Sequence, residues 1–190
     1  MFIQTEATPN PRTLKFLPGR DVLGAGSREF ADADAALASP LASAVFAIDG
    51  VERIYLGGDF ITVTKSDAVE WPHLKPHILA AIMDHFTAGR PVLLEAGAAE
   101  DDTDGAMYEG DAADIVREIK AIIEARVRPA VARDGGDITF HSWDHDAGVV
   151  RLNMRGSCAG CPSSTLTLKQ GIENMLKHYV PEVNAVEQVV

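Results

Sequence analysis

Cysteine is nearly absent: the chain has 2 among its 190 residues. A disulfide framework is thereby excluded, and so is a four-thiolate metal site built from one copy alone. Positive charge is also scarce. Lys and Arg total 17 against 28 Asp and Glu, for a net charge of −11 and a pI near 4.9. A surface this acidic repels phosphate backbones, so no nucleic acid partner is expected, and it disfavours anionic membranes as well. No apolar run is long enough to cross a bilayer. The N-terminus, Met1 to Asn10, has no basic region followed by a hydrophobic stretch, and reads as mature sequence rather than a signal or transit peptide. Two thiols without an export signal fit a reducing compartment, where such a pair binds metal or does redox chemistry more often than it staples a fold. The default expectation is cytoplasmic; a processed organellar matrix protein would carry the same features.

What is present is a folded chain's composition, 46% hydrophobic, long enough for one large domain or two small ones. One segment stands apart: Glu95-Ala-Gly-Ala-Ala-Glu-Asp-Asp-Thr-Asp-Gly-Ala106. It is small, acidic and without apolar periodicity, so it is expected to be a linker. It lacks the liganding pattern of a calcium loop.

Both flanks read as mixed helix and strand. Before the linker, Phe2 to Glu6 and Thr13 to Leu17 look like strands around the Pro9-Asn-Pro11 turn. Ser39-Pro40 suits a helix start, with Leu41, Ala44, Val45 and Ile48 on one face. Val51 to Leu56 and Phe60 to Thr64 flank Gly57-Gly-Asp59 as a hairpin, and Leu74, Ile78, Ile82 and Phe86 form a helical stripe that stops at Gly89. After the linker, Asp111 or Asp114 is a candidate cap for a helix carrying Ile115, Ile119, Ile122 and Val127, with Pro129 close to its end. Asp137 to Ser142 and Val149 to Met154 read as an antiparallel pair. Pro162 opens a helix through about Tyr179, and Val183 to Val189 returns as a strand. The fold class expected is α+β, two small mixed domains joined by a flexible acidic linker.

The two cysteines sit together in Gly156-Ser-Cys-Ala-Gly-Cys-Pro-Ser-Ser164. Two intervening residues let the sulfurs of Cys158 and Cys161 turn toward one metal. Gly156 and Gly160 relax the backbone, and Pro162 suits a first helical turn. Cys161 then lies at or near the N-cap, where free amides and the helix dipole stabilise a thiolate or an anionic metal–sulfur cluster. Ser163, Ser164 and Thr165 add hydroxyls that tune such a cluster.

Four readings compete, the plainest being two inert buried cysteines, against which the flanking glycines and the following Pro-Ser-Ser argue for a shaped, accessible loop. Two chains meeting at their loops would complete a four-cysteine iron–sulfur site. Structural zinc normally draws four ligands from one chain, and only His141 and His145 offer imidazoles nearby in sequence. A thioredoxin-like dithiol needs the pair after a strand in a βαβ context, which strand 149–154 partly meets. The turn Asp134-Gly-Gly-Asp137 would either border this loop or simply supply backbone freedom ahead of a strand; the second role is the expected one. Trp71 and Trp143 are expected to pack. His73, His77, His85 and His178 form no ligand constellation.

The run from Gly156 through Leu176, followed by Pro181-Glu-Val183, closely resembles the C-terminal domain of NifU, shared by the Nfu iron–sulfur scaffold and carrier proteins. Arg133-Asp-Gly-Gly-Asp137 is similar to that family too. Thr5-Glu-Ala-Thr-Pro-Asn-Pro11, Thr13-Leu-Lys-Phe-Leu-Pro18 and Asp59-Phe-Ile-Thr-Val-Thr-Lys65 resemble the companion Nfu N-terminal domain. The resemblance implies an N-terminal domain over 1–94, the linker over 95–110 and a cluster-binding domain over 111–190. It implies a homodimer whose paired Cys158 and Cys161 hold a bridging [4Fe–4S] cluster, as metal ligands and as cofactor-binding residues. It further implies delivery of that cluster to apo iron–sulfur clients, with upstream assembly proteins as further partners. Such a chain is a carrier and not an enzyme. The N-terminal scaffold and ferredoxin-like domains of full-length NifU are missing, which favours carriage of a finished cluster over assembly.

Overall fold

The computed structural model describes residues 2–94, 108–160 and 162–189. Of the expected linker, 95–110, residues 95–107 lie outside the described residues, as does Cys161. The chain divides into two compact units, Met1–Glu100 and Asp101–Val190, each with its own sheet and its own apolar core.

In the first unit, β1 (Gln4–Ala7), β2 (Thr13–Leu17), β3 (Arg28–Phe30), β4 (Val51–Leu56) and β5 (Ile61–Lys65) form one antiparallel sheet in the order β1-β2-β5-β4-β3. The Gly57-Gly-Asp59 hairpin forms as expected, with the Gly57 amide donating to the Phe60 carbonyl at 2.9 Å. Helices α1 (Ala33–Ala36), α2 (Pro40–Phe46) and α3 (Trp71–Thr87) follow the chain order β3-α1-α2-β4-β5-α3. Alternation along the strands and helical spacing along α2 and α3 bring Phe16, Ile54, Leu56, Ile61, Val63, Leu41, Val45, Leu74, Ile78 and Ile82 into one cluster. Ser39 caps α2: its Oγ accepts from the Ala42 amide at 3.0 Å and donates to the Val92 carbonyl. Strand β3 and the single turn α1 escape sequence reading because they are three and four residues long, too short for a period to show. Trp71 packs against this core and donates its indole N–H to the Pro11 carbonyl at 3.0 Å.

The second unit begins with α4 (Asp111–Ile122). Neither Asp111 nor Asp114 is its cap, contrary to expectation. Gly110 holds that position without a side-chain bond, and the two carboxylates lie in the first turn, where the helix dipole favours them. Pro129 lies close to the end of the helical run, which closes at Arg133. The chain passes through a π-helical turn, Ile123–Val127, into α5 (Arg128–Arg133). Proline has no N–H to offer the carbonyl four residues back, and the turn widens so that the Arg128 amide bonds Ile123 instead, five residues back.

Strands β6 (Gly136–Asp144) and β7 (Val149–Gly156) pair antiparallel, as expected. A register shift between Phe140 and Ser142 changes the phase of β6. It lets Ile138, Phe140 and Trp143 all face the core. Trp143 is therefore a packing residue. Its amide donates to the Tyr108 hydroxyl at 2.8 Å, so Tyr108, assigned to the linker by sequence, belongs to this core. Helix α6 (Pro162–Tyr179) crosses over to β8 (Ala185–Val189), which lies parallel to β7. The sheet order is β6-β7-β8.

Candidate metal centre

The cysteine loop leaves the end of β7 directly beside the start of β6, because Gly156 and Gly136 are paired. The Asp134–Gly135 turn, with Gly135 at φ +79°, delivers the chain into β6 at that point. Two hydrogen bonds join turn and loop: the Ser157 amide donates to the Gly135 carbonyl at 3.2 Å, and the Ser157 hydroxyl donates to the Asp134 carbonyl at 2.6 Å. The loop also folds back on itself, with the amides of Cys158 and Ala159 bonding the carbonyls of Arg155 and Gly156. The 134–137 motif thus does more than free the backbone ahead of a strand. It borders the cysteine loop, a role the sequence reading placed second.

Cys158 is buried, 6% exposed, and belongs to the apolar core of its unit. Its sulfur rests on Gly136. A Cβ at that position would lie 2.4 Å from Cys158 Sγ and 3.1 Å from both the Arg155 carbonyl oxygen and the Cys158 amide nitrogen. Only glycine fits, so we expect Gly136→Ala to drive the sulfur from its seat. The cost should be about 1–3 kcal/mol by overpacking, read as a lower unfolding midpoint together with faster thiol alkylation of Cys158. An unchanged rate and midpoint would contradict this contact.

Burial pushes the Cys158 thiol up to about 12; a hydrogen bond with Ser157 opposes that shift, and the carboxylates of Asp134 and Asp137 add to it. A thiol so placed stays protonated at neutral pH. It becomes a good ligand only when a metal ion replaces the proton, and it is a poor nucleophile until then.

Behind the loop, Arg128 grips Asp137 with two parallel bonds, Nε to Oδ1 and Nη2 to Oδ2, both 2.8 Å, and reaches Glu124 Oε1 at 2.6 Å. Asp137 is 4% exposed and also accepts the Ile138 amide at 2.9 Å. The fork ties the end of the π-helical turn to the residue that follows Gly136. Sequence reading missed Arg128. The Glu124–Arg128 spacing of four was visible, but the partner nine residues on lies across a helix-to-strand turn.

The two imidazoles considered as zinc ligands are not brought to this place. His141 and His145 lie five and nine residues beyond Gly136, toward the far end of the β6–β7 hairpin; at strand rise that is roughly 17 Å or more. His141 bonds Ser142, and His145 accepts from the Trp143 indole at 3.4 Å. Among the described residues no three His, Cys, Asp or Glu side chains converge on a common point. His85 is a core histidine of the first unit, 1% exposed, and burial lowers its pKa.

Two family models match this architecture in order: "Scaffold protein Nfu/NifU N terminal" over residues 3–89 and "NifU-like domain" over residues 119–187. The chain belongs to the Nfu/NifU family. Within the NifU-like match fall Arg128, the glycine turn, both cysteines and α6. Similar whole chains include NifU-like protein 4, mitochondrial, of Arabidopsis thaliana, 53% identical over 188 residues, 99% of this chain and 66% of that protein. NifU-like protein 5, mitochondrial, of the same plant is 53% identical over 189 residues, 99% of this chain and 68% of that one. The NFU1 iron-sulfur cluster scaffold homolog, mitochondrial, of Drosophila willistoni is 50% identical, over 100% of this chain and 64% of that one. This Nfu/NifU chain thus spans about two thirds of the length of these relatives. Among solved structures, the solution structure of the NifU-like protein from Saccharomyces cerevisiae is similar at 29% identity and a TM-score of 0.45, over 50% of this chain and 86% of that one.

Proposed function

We propose that this chain carries a [4Fe–4S] cluster between two protomers, each supplying Cys158 and Cys161, and passes it to apo-proteins. The observation that carries this reading is ligand arithmetic. The chain has only two cysteines, in one loop at the mouth of a helix, and the histidines that might complete a site lie elsewhere. Half a coordination shell per chain calls for a twin. A cluster held at a subunit seam can leave when the seam opens or a recipient thiolate attacks; one held by four cysteines of a single chain is far harder to release. The chain breaks no substrate bond, so it is a carrier and not an enzyme. Its partners are a second copy, the apo clients and the upstream assembly proteins; it needs neither nucleic acid nor membrane. Among the described residues no helix is long and apolar enough to cross a membrane. The cytoplasmic default draws no support from relatives named mitochondrial, and an organellar matrix is the better proposal.

Anaerobic reconstitution tests the reading. Iron and sulfide should be taken up as one four-iron cluster per dimer, with sulfur-to-iron absorption in the visible and a shift from monomer to dimer on sizing. An iron-free monomer that takes up neither would end it.

The first unit offers no chemical motif, and we assign it recognition of clients or assembly proteins, with the linker raising local concentration while the second unit presents the cluster. Deleting residues 1–94 should therefore leave cluster uptake unchanged and slow delivery to at least some clients. Equal transfer rates to every client tested would count against that role.

One observation favours a second reading. Strand β7, α6 and parallel β8 form a βαβ unit with Cys158 in the loop between its first strand and its helix, the context of a dithiol oxidoreductase. The raised Cys158 thiol opposes it, since an attacking thiol in such enzymes is lowered, not raised. Robust disulfide reductase activity in the iron-free monomer would reverse this preference.

A further inference from the structure

A sulfur shared with a second protomer must be presented at the surface. Cys158 is turned the other way: it is 6% exposed, seated against Gly136, and counted among the core. Ser157 is more deeply buried still, at 2%. Its two bonds end on successive carbonyls of one turn, Asp134 and Gly135. Glycines at positive φ bracket the segment, Gly156 at +63° and Gly160 at +72°. A Cβ on Gly160 would meet nothing within 4 Å. Residues 157–159 therefore form a short flap with a hinge glycine at each end, tied on its inner side to the 134–135 turn by the amide and the hydroxyl of Ser157.

We propose that Ser157 latches the cysteine loop in a closed conformation that sheathes Cys158, and that releasing this latch is the step that admits a cluster. The proposal rests on the carrier reading and adds a regulation to it. Closed, the chain keeps the Cys158 thiol from oxidants and stray metals. Open, the flap swings about Gly156 and Gly160, the Ser157 hydroxyl exchanges the Asp134 carbonyl for water, and the sulfur reaches the seam. Because the latch stabilises only the closed state, weakening it shifts the population toward the open one and makes loading easier. A serine that positioned the loaded site would act in the opposite sense.

The test uses the two-unit Cys161→Ser chain, in which Cys158 is the one thiol left. N-ethylmaleimide should modify it slowly relative to the same chain in denaturant. Adding Ser157→Ala should speed modification of the folded protein by roughly five- to tenfold, the effect of removing one hydrogen bond from the closed state, with far-UV circular dichroism unchanged. An equal rate in the two proteins overturns the latch. Where Ser157→Ala does not fold, amide exchange on the wild-type chain decides. The Ser157 amide should open with the same protection factor as the Cys158 thiol, well below that of core residue Leu152. Protection equal to that of Leu152 would show that no flap opens and would overturn the proposal. With both cysteines present, Ser157→Ala should hold the cluster against a ferrous chelator at least as long as wild type; faster loss overturns the latch and makes Ser157 a positioning residue of the loaded site. The alkylation and exchange arms use no iron. A wild-type chain that takes up no iron and sulfide removes the carrier reading, and those two arms still judge the flap by themselves.

Discussion

Serine at position 158 or 161 should abolish retention of an iron–sulfur cluster and leave both units folded. Each thiol occurs once per loop, so losing either leaves a pair of protomers with two thiolates where four are needed. A hydroxyl is a harder and more basic ligand and does not substitute for a thiolate on iron. The fold should survive because serine nearly matches cysteine in size. At position 158 the variant places a hydroxyl in a largely apolar site, at a cost of about 1–3 kcal/mol unless it finds a bond. The check is iron and sulfide content with visible absorption after anaerobic reconstitution, alongside circular dichroism. Either variant that holds the cluster at the wild-type level would remove both cysteines from the proposed ligand set.

Arg128→Ala should be the most damaging change away from the cysteines. It strips the fork from Asp137, a carboxylate only 4% exposed, and leaves that charge buried with the Ile138 amide as a remaining donor. Breaking a buried pair from one side costs about 3–5 kcal/mol. The Arg128 side chain is 29% exposed, so water offsets part of this, and about 2–4 kcal/mol is expected. That is a fall of roughly 10 °C or more in the unfolding midpoint of a unit this size. Arg128→Lys keeps the charge but cannot form two parallel bonds, and should fall between. Arg128→Met with Asp137→Asn should recover much of the loss, because no charge is then stranded. Thermal unfolding followed by Trp143 fluorescence in a Trp71→Phe background reports the second unit alone. A midpoint within a degree or two of wild type for Arg128→Ala would show that the fork contributes little.

Local sequence was a good guide where a signal fits inside one element. Ser39-Pro40 starts a helix because a hydroxyl and a ring that lacks an N–H both suit its first turn. Gly57-Gly-Asp59 turns a hairpin, and Pro162 to Tyr179 is helical over the full span expected. It was silent where a residue's usual role yields to its neighbours. Pro129 normally stops a helix, but the apolar face of Ile119, Ile122, Ile123, Val127 and Val131 is buried on both sides of it. Keeping that face packed outweighs one lost hydrogen bond, and the helix absorbs the proline as a π-helical turn.

By itself, the sequence determined the class of fold, the family and the pair of thiols, since composition, period and motif spacing are properties of neighbours along the chain. Tertiary structure decided what surrounds those thiols. The pairing of Gly136 with Gly156, the Ser157 bonds to the glycine turn and the Arg128–Asp137 fork each join residues nine to about twenty-three positions apart. Such contacts exist only once strands pair and helices dock, because hydrogen-bond register and close packing act through space and leave no period in the order of residues.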